Sequence, residues 1–300
     1  MRVAVIINPV SGRRRRRSSD ATDRAELARL VLARVAWESG VDPDIAIDVT
    51  RAPGHAAELA RDHVARGIGL VVAWGGDGTV HEVAGPLIGS STALAIVPSG
   101  SGDGLARGLG LPRRPEQALR LALTGPIGSM DTGRIGDRHF LNIAGVGFDA
   151  AVGAAFNQSA RRGVGAYVRG ALAGVWTYRP EAYRLVFDGV ERAGRCFVIV
   201  FANGPQYGNG LCIAPDADPA DGRLNLVLVA DGSAWRQVWR ARRLGVRRLA
   251  RAEGVHRQLV ETASVEGDRL VCHVDGETFE TSGRLEVGVR PASLTIAGTG

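Results

Sequence analysis

The residues that could do chemistry are concentrated first in a Gly-Gly-Asp-Gly-Thr motif at positions 75–79. The apolar run at 69–74 predicts a buried strand before the motif, and the pattern becomes helical from Thr79. Glycines let the backbone approach a phosphate closely, and a helix start presents N–H groups and the positive end of its dipole. The motif therefore predicts a nucleotide phosphate site. The alternative is a tight turn in which Thr79 is the N-cap of the helix.

Asp77 needs its own explanation, because a bare carboxylate would repel phosphate. A metal ion between the two groups would explain it, and so would a role in ordering the loop. The chain contains 37 lysine-plus-arginine residues, and all of them are arginine. Mechanisms that need a lysine on the phosphates are thus excluded, the Walker A loop and the protein-kinase arrangement among them. Arginine, Mg²⁺ and backbone N–H groups remain to neutralise phosphate charge.

The composition limits the classes of protein. With 300 residues, of which 45% are hydrophobic, the chain can form one large or two modest domains. The net charge of +6 allows nucleic acid, an anionic membrane surface or a phosphorylated ligand as partner. The three widely spaced cysteines look like buried thiols of a cytosolic protein. Since no apolar run approaches the length of a bilayer, we expect any membrane contact to be peripheral.

The pattern of strands and helices changes near residue 125. Strand-like and helical runs alternate before it, which predicts a parallel, doubly wound α/β domain with ligands at the carboxyl ends of its strands. All glycine-rich turns of that half fall at this edge. After Gly125 and Pro126, strand-like runs separated by Asp-Gly turns predict an antiparallel β domain. Two helical stretches interrupt it, at about 164–176 and 233–252.

Three further stretches allow two interpretations each. The five arginines at 13–17 are typical of a solvated loop, but they could also lie over phosphates or lipid headgroups. Gly-Val-Gly-Phe-Asp-Ala at 145–150 resembles a dinucleotide fingerprint but lacks the later acidic residue. Its Asp149 could meet a substrate hydroxyl or cap a helix.

The helical stretch 233–252 is basic and amphipathic. Trp235, Val238, Trp239, Val246, Leu249 and Ala250 fall on one side of it, and Arg236, Arg240, Arg243, Arg247 and Arg251 fall mainly on the other. Such a helix can dock on anionic lipid. More commonly the apolar side packs onto the protein's own sheet, and the tryptophans are then buried.

Together the motifs resemble the diacylglycerol kinase and sphingosine kinase catalytic-domain family of lipid kinases, over essentially the whole chain. The resemblance is carried, in chain order, by residues 8–12 (Asn-Pro-Val-Ser-Gly), 75–79, 98–107, 131–133 (Asp-Thr-Gly), 142–150, 214–222 and 275–277 (Asp-Gly-Glu). The Gly-Gly-Asp-Gly core by itself is also found in NAD kinases and phosphofructokinases. The remaining blocks, in the same order as in the family, make the resemblance specific.

The resemblance implies two domains. Residues 1–125 would form an ATP-binding α/β domain with an NAD-kinase- or phosphofructokinase-like doubly wound sheet, to which a tail at about 285–300 returns. Residues 126–284 would form a C-terminal antiparallel β-sandwich for the lipid substrate. ATP and Mg²⁺ would be the cofactors of an ATP-dependent lipid kinase, with ATP between the domains. The expected acceptor is a hydroxyl of a diacylglycerol-like or sphingoid lipid.

The family's functional residues are carried over position by position. The nucleotide positions are Asn8, Ser11, Gly12, Thr50, Gly75, Gly76, Asp77, Gly78, Thr79, His81 and Ser101. Asp275 occupies the position of the catalytic base, with Glu277 beside it and Asp77 as a further catalytic residue. An alcohol that attacks the γ-phosphorus needs a carboxylate to accept its proton, which agrees with this assignment. On sequence alone, Asp275 and Gly276 are equally typical of a type I′ hairpin turn.

Metal and substrate positions are also implied. Asp218, Asp221 and the Arg223 carbonyl match a Mg²⁺ site of bacterial members, and Asp131 belongs to the family's metal network. Turn-stabilising side chains are the alternative there. Asp103 and Asp149 are assigned to the substrate.

The second glycine motif departs from the family. The family usually has Asn-Asp where this chain has Asp103 and Gly104. This departure and His81 are features of sphingosine-kinase-like members, which favours a sphingoid or other long-chain alcohol.

Two other functions stay open: an NAD kinase, or a catalytically weak nucleotide- or lipid-binding regulator. The expected partner is a lipid at an anionic membrane surface and not a nucleic acid. The expected location is cytoplasmic and peripheral to the membrane. The sequence leaves the oligomeric state open, a homodimer included.

Overall fold

A computed structural model describes residues 2–12, 19–40, 44–158, 164–245, 249 and 252–299. The chain forms two compact units. Unit 1 comprises Met1–Met130 together with Ala292–Gly300, and unit 2 comprises Asp131–Pro291. The five arginines at 13–17 lie outside the described residues.

Unit 1 contains a parallel sheet. Its strands are β1 (Arg2–Ile7), β2 (Asp44–Val49), β3 (Leu70–Gly75), β4 (Ala93–Pro98) and the end of the last strand, β13 (Glu277–Ala297). The order across the sheet is β2-β1-β3-β4-β13, and every neighbouring pair is parallel. β13 joins through a pair between Ile296 and Leu94. β3 and β4 are buried along their whole length, as expected for strands covered on both faces.

Helices cover the sheet of unit 1. They are α1 (Ser19–Ser39), α2 (His55–Ala65), α3 (Asp77–Leu87), α4 (Gly104–Gly108) and α5 (Pro115–Thr124). α1 packs with α5, and α2 packs with α3. Val3, Val5 and Ile7 belong to the core beneath α1 and α5, while Ala4 and Ile6, which alternate with them, are equally buried. Both faces of the sheet are therefore covered, which confirms the doubly wound α/β fold.

Unit 2 is an antiparallel β-sandwich. Its strands are the end of β5 (Ile127–Ile135), β6 (Arg138–Phe140), β7 (Ile143–Gly147), β8 (Ala182–Phe187), β9 (Val190–Ala202), β10 (Leu224–Ala230), β11 (Val255–Val260), β12 (Thr262–Val274) and most of β13. β9 pairs with β7, β8 and β10, and β12 pairs with β7, β8 and β13, all antiparallel. The strands enclose a core that includes Phe140, Phe187 and Phe201.

Three helices accompany the sandwich. They are α6 (Phe148–Gln158), α7 (Val164–Thr177) and α8 (Ala234–Gly245). A second apolar cluster joins residues of β9 and β10, such as Val200 and Val227, to Phe148 and Val238 of these helices. Alternate residues of β9 and β10 thus point to opposite faces. One set packs in the inner core, and the other set packs against the helices.

The structure corrects the predicted faces of α8 in part. Trp235 is 75% exposed and Trp239 is 46% exposed, whereas Arg240 is 3% exposed. Arg240 donates to the backbone oxygens of Ala230, at the end of β10, and of Glu253, at 2.7 and 3.0 Å, which an apolar side chain could not do. Burial of the tryptophans against the sheet is therefore wrong, whereas Val238 and Leu249 of the same predicted side do belong to the apolar cluster of β9 and β10. Residues 246–248 and 250–251 lie outside the described part of the chain.

Two expectations about the whole chain concern thiols and membrane spans. Cys196, Cys212 and Cys272 are free thiols, and the last two are buried. Burial raises the pKa of Cys272 to about 12, so this thiol is un-ionised at neutral pH. Among the described helices none has the length and apolar character that a bilayer crossing requires.

Candidate active site

The first site element in unit 1 is the contact between its two glycine turns, which follow β3 and β4. A Cβ on Gly100 would lie 2.7 Å from the Cα of Gly76 and 2.7 Å from Oδ1 of Asp103. A Cβ on Gly75 would overlap the side chain of Thr79. The turns therefore meet backbone to backbone at the carboxyl edge of the sheet, and only glycine permits this approach.

The start of α3 does not fit the alternative interpretation, a tight turn in which Thr79 is the N-cap. The helix begins at Asp77, two residues earlier than predicted, and its N-cap is Gly76. Thr79 is therefore not the N-cap. Its Oγ1 accepts a 2.8 Å hydrogen bond from Nδ2 of Asn8. Since no side-chain hydrogen bond caps the helix, its first N–H groups are left for backbone, solvent or ligand.

The Asn-Pro-Val-Ser-Gly turn after β1 is tied to these loops. Asn8 bonds Thr79 through its amide nitrogen and receives the N–H of Val10 at Oδ1, at 3.0 Å. The hydroxyl of Ser11 lies 2.7 Å from that of Ser99, which follows β4. The backbone of Gly12 has a φ of 105°. The ends of β1, β3 and β4 thus form one hydrogen-bonded set of turns.

Arg24 of α1 fixes this turn from the helix side. Its Nη1 donates to the carbonyl of Asn8 at 2.8 Å and to the hydroxyl of Ser11 at 2.9 Å. Its Nη2 donates to the carbonyl of Ser11 at 2.9 Å. The guanidinium therefore places a fixed positive charge beside the turns, in a chain without lysine.

Asp103 is turned into the loop. It is 4% exposed, has a φ of 48°, and its Oδ1 accepts the N–H of Gly100 at 2.8 Å. Burial raises the pKa of this carboxyl, against the lowering effect of the Gly100 N–H and of Arg113 and Arg107. The carboxylate orders the second glycine turn, which leaves its assignment to the substrate a prediction.

The other nucleotide positions surround the same edge of unit 1. Gly78 is exposed, and nothing lies within 4 Å of the place of its missing Cβ. Asp77 is half-buried, Thr50 and His81 are buried, and Ser101 is exposed. Thr50 is placed by the bond from its N–H to the carbonyl of Ile7, at 2.9 Å.

Asp275, the predicted base in unit 2, is in the turn between β12 and β13. Asp275 and Gly276 have φ values of 48° and 94°, and Val274 pairs with Glu277. Two consecutive left-handed residues joining paired strands are the two-residue hairpin of the alternative interpretation. Glu277 is exposed at the start of β13.

The Asp275 carboxylate also has partners outside its own hairpin. Oδ1 accepts the N–H groups of Asn142 and Ile143, at 2.9 and 3.0 Å, and Oδ2 accepts that of Leu141, at 2.8 Å. Three N–H donors stabilise the ionised form and fix its orientation. The turn and a functional role are thus compatible, since the hairpin holds a charged carboxylate in one place.

A second polar cluster in unit 2 is centred on Asp149. Its Oδ2 lies 3.0 Å from the hydroxyl of Tyr207 and 3.0 Å from Nε2 of His273. A Cβ on Gly145 would lie 2.6 Å from Nε2 of His273 and would overlap Asp149. The apparent dinucleotide fingerprint therefore has another cause, because Gly145 makes room for this pair. At the start of its own helix, Oδ1 of Asp149 accepts the N–H of the next residue, Ala150, at 2.8 Å.

The predicted metal residues lie around one loop of unit 2. Asp131 is 2% exposed, and its Oδ2 accepts the N–H of Gly222 at 2.7 Å. Asp218 and Asp221 accept the N–H groups of the residues two positions later. Burial raises the pKa of Asp221, and the charges of Asp218 and Asp131 raise it further.

These carboxylates already serve as turn-stabilising acceptors. Within the described residues, no group of three His, Cys, Asp or Glu side chains is arranged to hold a metal ion. The oxygen-only donor set and the mutual repulsion of the aspartates would suit a hard cation. The metal assignment stays a prediction.

Sequence reasoning missed Arg24, Ser99, Tyr207 and His273. Arg24 and Ser99 act through contacts between segments that the sequence does not pair. His273 lies on β12, two residues before Asp275 of the following turn, and this closeness in sequence is the one signal that pointed to it.

Comparisons with known proteins cover both units. Residues 2–135 match the family described as diacylglycerol kinase catalytic domain. Residues 142–298 match the family described as YegS C-terminal NAD kinase beta sandwich-like domain.

Two relatives and one solved structure represent the matches. A diacylglycerol kinase of Mycobacterium tuberculosis is 30% identical, with 98% of this chain and 94% of that protein covered. A "Probable lipid kinase YegS-like" protein of Chromohalobacter salexigens is 40% identical over 200 residues, which are 65% of this chain and 64% of that protein. The crystal structure of a diacylglycerol kinase from Bacillus anthracis has a TM-score of 0.75 at 18% identity, with 98% and 96% covered. This last likeness concerns the fold.

Proposed function

The chain belongs to the diacylglycerol kinase catalytic-domain family, a family of lipid kinases, and we propose that it transfers the γ-phosphate of ATP to a lipid hydroxyl. The observation that carries the proposal is the meeting of the two glycine turns at Gly76 and Gly100 beside the start of α3. Close backbone approach and uncapped helix N–H groups are the features that bind phosphates.

Unit 1 would bind the nucleotide. The first N–H groups of α3 would contact phosphate oxygens, and the exposed Gly78 would let a phosphate come near the backbone. Arg24 contributes positive charge and fixes the position of the turn at Asn8 and Ser11. Backbone donors and this arginine would replace the lysine that other phosphate loops use.

Magnesium belongs to the proposal as the partner of ATP. When bound, Mg²⁺ would supply positive charge that neutralises the phosphates and the transition state. Asp77 is the carboxylate in unit 1 that would hold it. Asp218, Asp221 and the Arg223 carbonyl would hold a second, structural ion in unit 2.

Unit 2 would bind the acceptor lipid and take up the proton of its hydroxyl. The Asp275 carboxylate, held in one orientation by three backbone N–H groups, would accept the proton of the attacking hydroxyl. A fixed orientation contributes here because phosphoryl transfer depends mainly on positioning and charge. Asp149, with Tyr207 and His273, would contact the substrate hydroxyls.

The acceptor class is proposed as a diacylglycerol-like or sphingoid lipid. His81 and the Asp103-Gly104 departure favour the sphingoid class. The enzyme would meet its acceptor at an anionic membrane surface, as a peripheral protein of the cytoplasm.

An NAD kinase is a second candidate, because the family matched by unit 2 is described as NAD kinase beta sandwich-like. It would use the same glycine turns and differ in the acceptor. The motifs at 8–12 and 275–277 fit it less well than a lipid kinase.

The experiment is a transfer assay on the full chain. The protein is incubated with γ-labelled ATP, Mg²⁺ and, in separate reactions, diacylglycerol, sphingosine, NAD or a mixed lipid extract. We expect label in the organic phase, and none after chelation with EDTA. Label on NAD would replace the proposal by the second candidate, and ATP binding without any transfer would favour a regulatory protein.

A further inference from the structure

The unusual feature of α8 is the direction of its polar and aromatic side chains. Gln237 and Arg240 point inward, where both bond the carbonyl of Ala230, at 2.9 and 2.7 Å. Arg240 also donates to Oε1 of Gln237 at 3.0 Å and to the carbonyl of Glu253. Hydrogen bonds thus fix the rotation of the helix about its axis, which leaves the opposite side facing outward.

The outward side carries the tryptophans. Trp235 and Trp239 are four residues apart, one turn of the helix, and are 75% and 46% exposed. Trp176, near the end of α7, is 47% exposed, and its ring contacts that of Trp235 edge-on with centroids 5.7 Å apart. Three neighbouring tryptophans are therefore kept in contact with solvent, where part of their apolar surface is left unburied.

Arginines surround these rings. The guanidinium of Arg243 stacks over Trp239, with its Cζ 3.8 Å from the ring centroid. Arg236 and Arg242 are exposed on the same side of α8. We name the six residues the Trp/Arg face: Trp176, Trp235, Trp239, Arg236, Arg242 and Arg243.

The charge of the two helices α7 and α8 is of one sign. The sequences of α7 and α8 contain no acidic residue, and α8 contains four arginines. Three more arginines follow in the sequence at 247, 248 and 251, outside the described residues. The complementary surface must therefore be anionic and must also accept large amphipathic rings.

We propose that the Trp/Arg face docks on an anionic phospholipid bilayer. The tryptophan rings would lie at the boundary between headgroups and acyl chains, where an apolar body with a polar edge is favoured. The arginines would bind lipid phosphates, to which a negatively charged surface attracts them. The proposal deepens the proposed function, since it says which surface brings the enzyme to a lipid acceptor. Docking itself needs no catalysis.

A bilayer is favoured over a protein partner by the combination of groups. A helix lying in the interface presents aromatic residues one turn apart, flanked by arginines, and this is the arrangement on α8. A protein groove binds a helix through exposed apolar side chains at positions i, i+3, i+4 and i+7. α8 does not offer such a set, because its Val238 and Leu244 are half-buried.

The experiment measures vesicle binding by the full chain, without ATP. Flotation uses phosphatidylcholine vesicles with and without phosphatidylglycerol. The double variant Trp235→Ala, Trp239→Ala removes the rings, and the double variant Arg236→Gln, Arg243→Gln removes charge. Trp37→Ala is the matched control, because Trp37 is 88% exposed on α1 of unit 1. Urea unfolding checks that all variants are folded.

We expect the wild type and Trp37→Ala to bind phosphatidylglycerol vesicles alike. The ring variant should bind at least about 10-fold more weakly, and the charge variant should lose its preference for phosphatidylglycerol and its sensitivity to salt. Equal binding by wild type and ring variant would overturn the proposal. So would a dimer that becomes monomeric in the ring variant while vesicle binding is unchanged.

A separate readout distinguishes this proposal from the proposed function. With a short-chain acceptor dissolved below its aggregation concentration, the ring variant should transfer phosphate at the wild-type rate. If the wild type binds vesicles but phosphorylates no lipid, the docking surface stands and the proposed function fails.

Discussion

The two units build their candidate sites in opposite ways. In unit 1, the groups come from three turns at the carboxyl ends of adjacent strands, where glycines let two turns meet and neutral side chains link the turns, as in Asn8 with Thr79 and Ser11 with Ser99. In unit 2, carboxylates are central, with Asp275 accepting three backbone N–H groups and Asp149 lying beside Tyr207 and His273. A phosphate site can be made of backbone, whereas proton transfer needs ionisable side chains.

The two units also share one structural feature. In each unit a glycine next to the site makes room for a functional side chain, Gly75 for Thr79 and Gly145 for Asp149 with His273. The same substitution in the two units should therefore have different consequences. ATP binding should depend on Gly75 of unit 1. The packing of the acceptor site should depend on Gly145 of unit 2.

Gly75→Ala should have the largest effect on ATP. Its Cβ would overlap Thr79, displace the start of α3 and break the bond from Asn8. Because a displacement of this kind lowers enzyme activity about 100-fold, we expect the ATP dissociation constant to rise by a similar factor. Titration calorimetry measures it. Gly170→Ala is the control, since nothing lies within 4 Å of that Cβ. Unchanged ATP affinity would show that the turn does not bind phosphate.

Gly145→Ala should act on stability instead. The added methyl group would press on Asp149 and His273, and overpacking of this kind costs about 2 kcal/mol. We expect a lower urea midpoint and an ATP affinity equal to that of the wild type. A variant that binds ATP poorly while unfolding like the wild type would contradict the separation of roles.

Arg24→Gln should weaken ATP binding without unfolding unit 1. It removes a charge and three hydrogen bonds from the turn at Asn8 and Ser11. We expect affinity to fall about 10-fold, which corresponds to about 1.4 kcal/mol. Arg29→Gln, an exposed arginine of the same helix, should bind as the wild type does. The idea fails if the two variants are indistinguishable in calorimetry.

Asp103→Asn tests the buried carboxyl. Because burial raises its pKa above 3.8, the folded chain keeps this proton at pH values where the unfolded chain releases it. The wild type should therefore lose stability as pH rises from about 4 through the raised pKa. Asparagine still accepts the Gly100 N–H and has no charge to bury, so the variant should lack this loss. Parallel urea curves for the two proteins at all pH values would contradict the burial effect.

Much of unit 1 could be predicted from sequence because its signals are local. The apolar runs at 3–7, 69–74 and 94–97 predict β1, β3 and β4 within about one residue, and the glycine motifs mark the turns that follow two of them. The start of α3 was predicted two residues too late, because threonine is a common N-cap residue. In the fold, the hydroxyl of Thr79 instead accepts a hydrogen bond from Asn8.

Unit 2 could be predicted less well because its decisive contacts are long-range. The strands and the hairpin at Asp275 follow from apolar runs and Asp-Gly pairs. Helix periodicity, however, gives two faces for α8 without saying which is buried. The carbonyls of Ala230 and Glu253 decide it, and only the fold brings them to Arg240.

The most direct test of the central claim, that unit 1 binds the donor and Asp275 accepts the proton, is Asp275→Asn. Asparagine suits the left-handed backbone of this turn, so the hairpin should remain. We predict an ATP dissociation constant within about twofold of the wild type and a transfer rate to lipid reduced by about 10²–10⁴-fold. Both are measured on the same sample, with urea unfolding as the fold check. Full transfer activity in the folded variant would contradict the account.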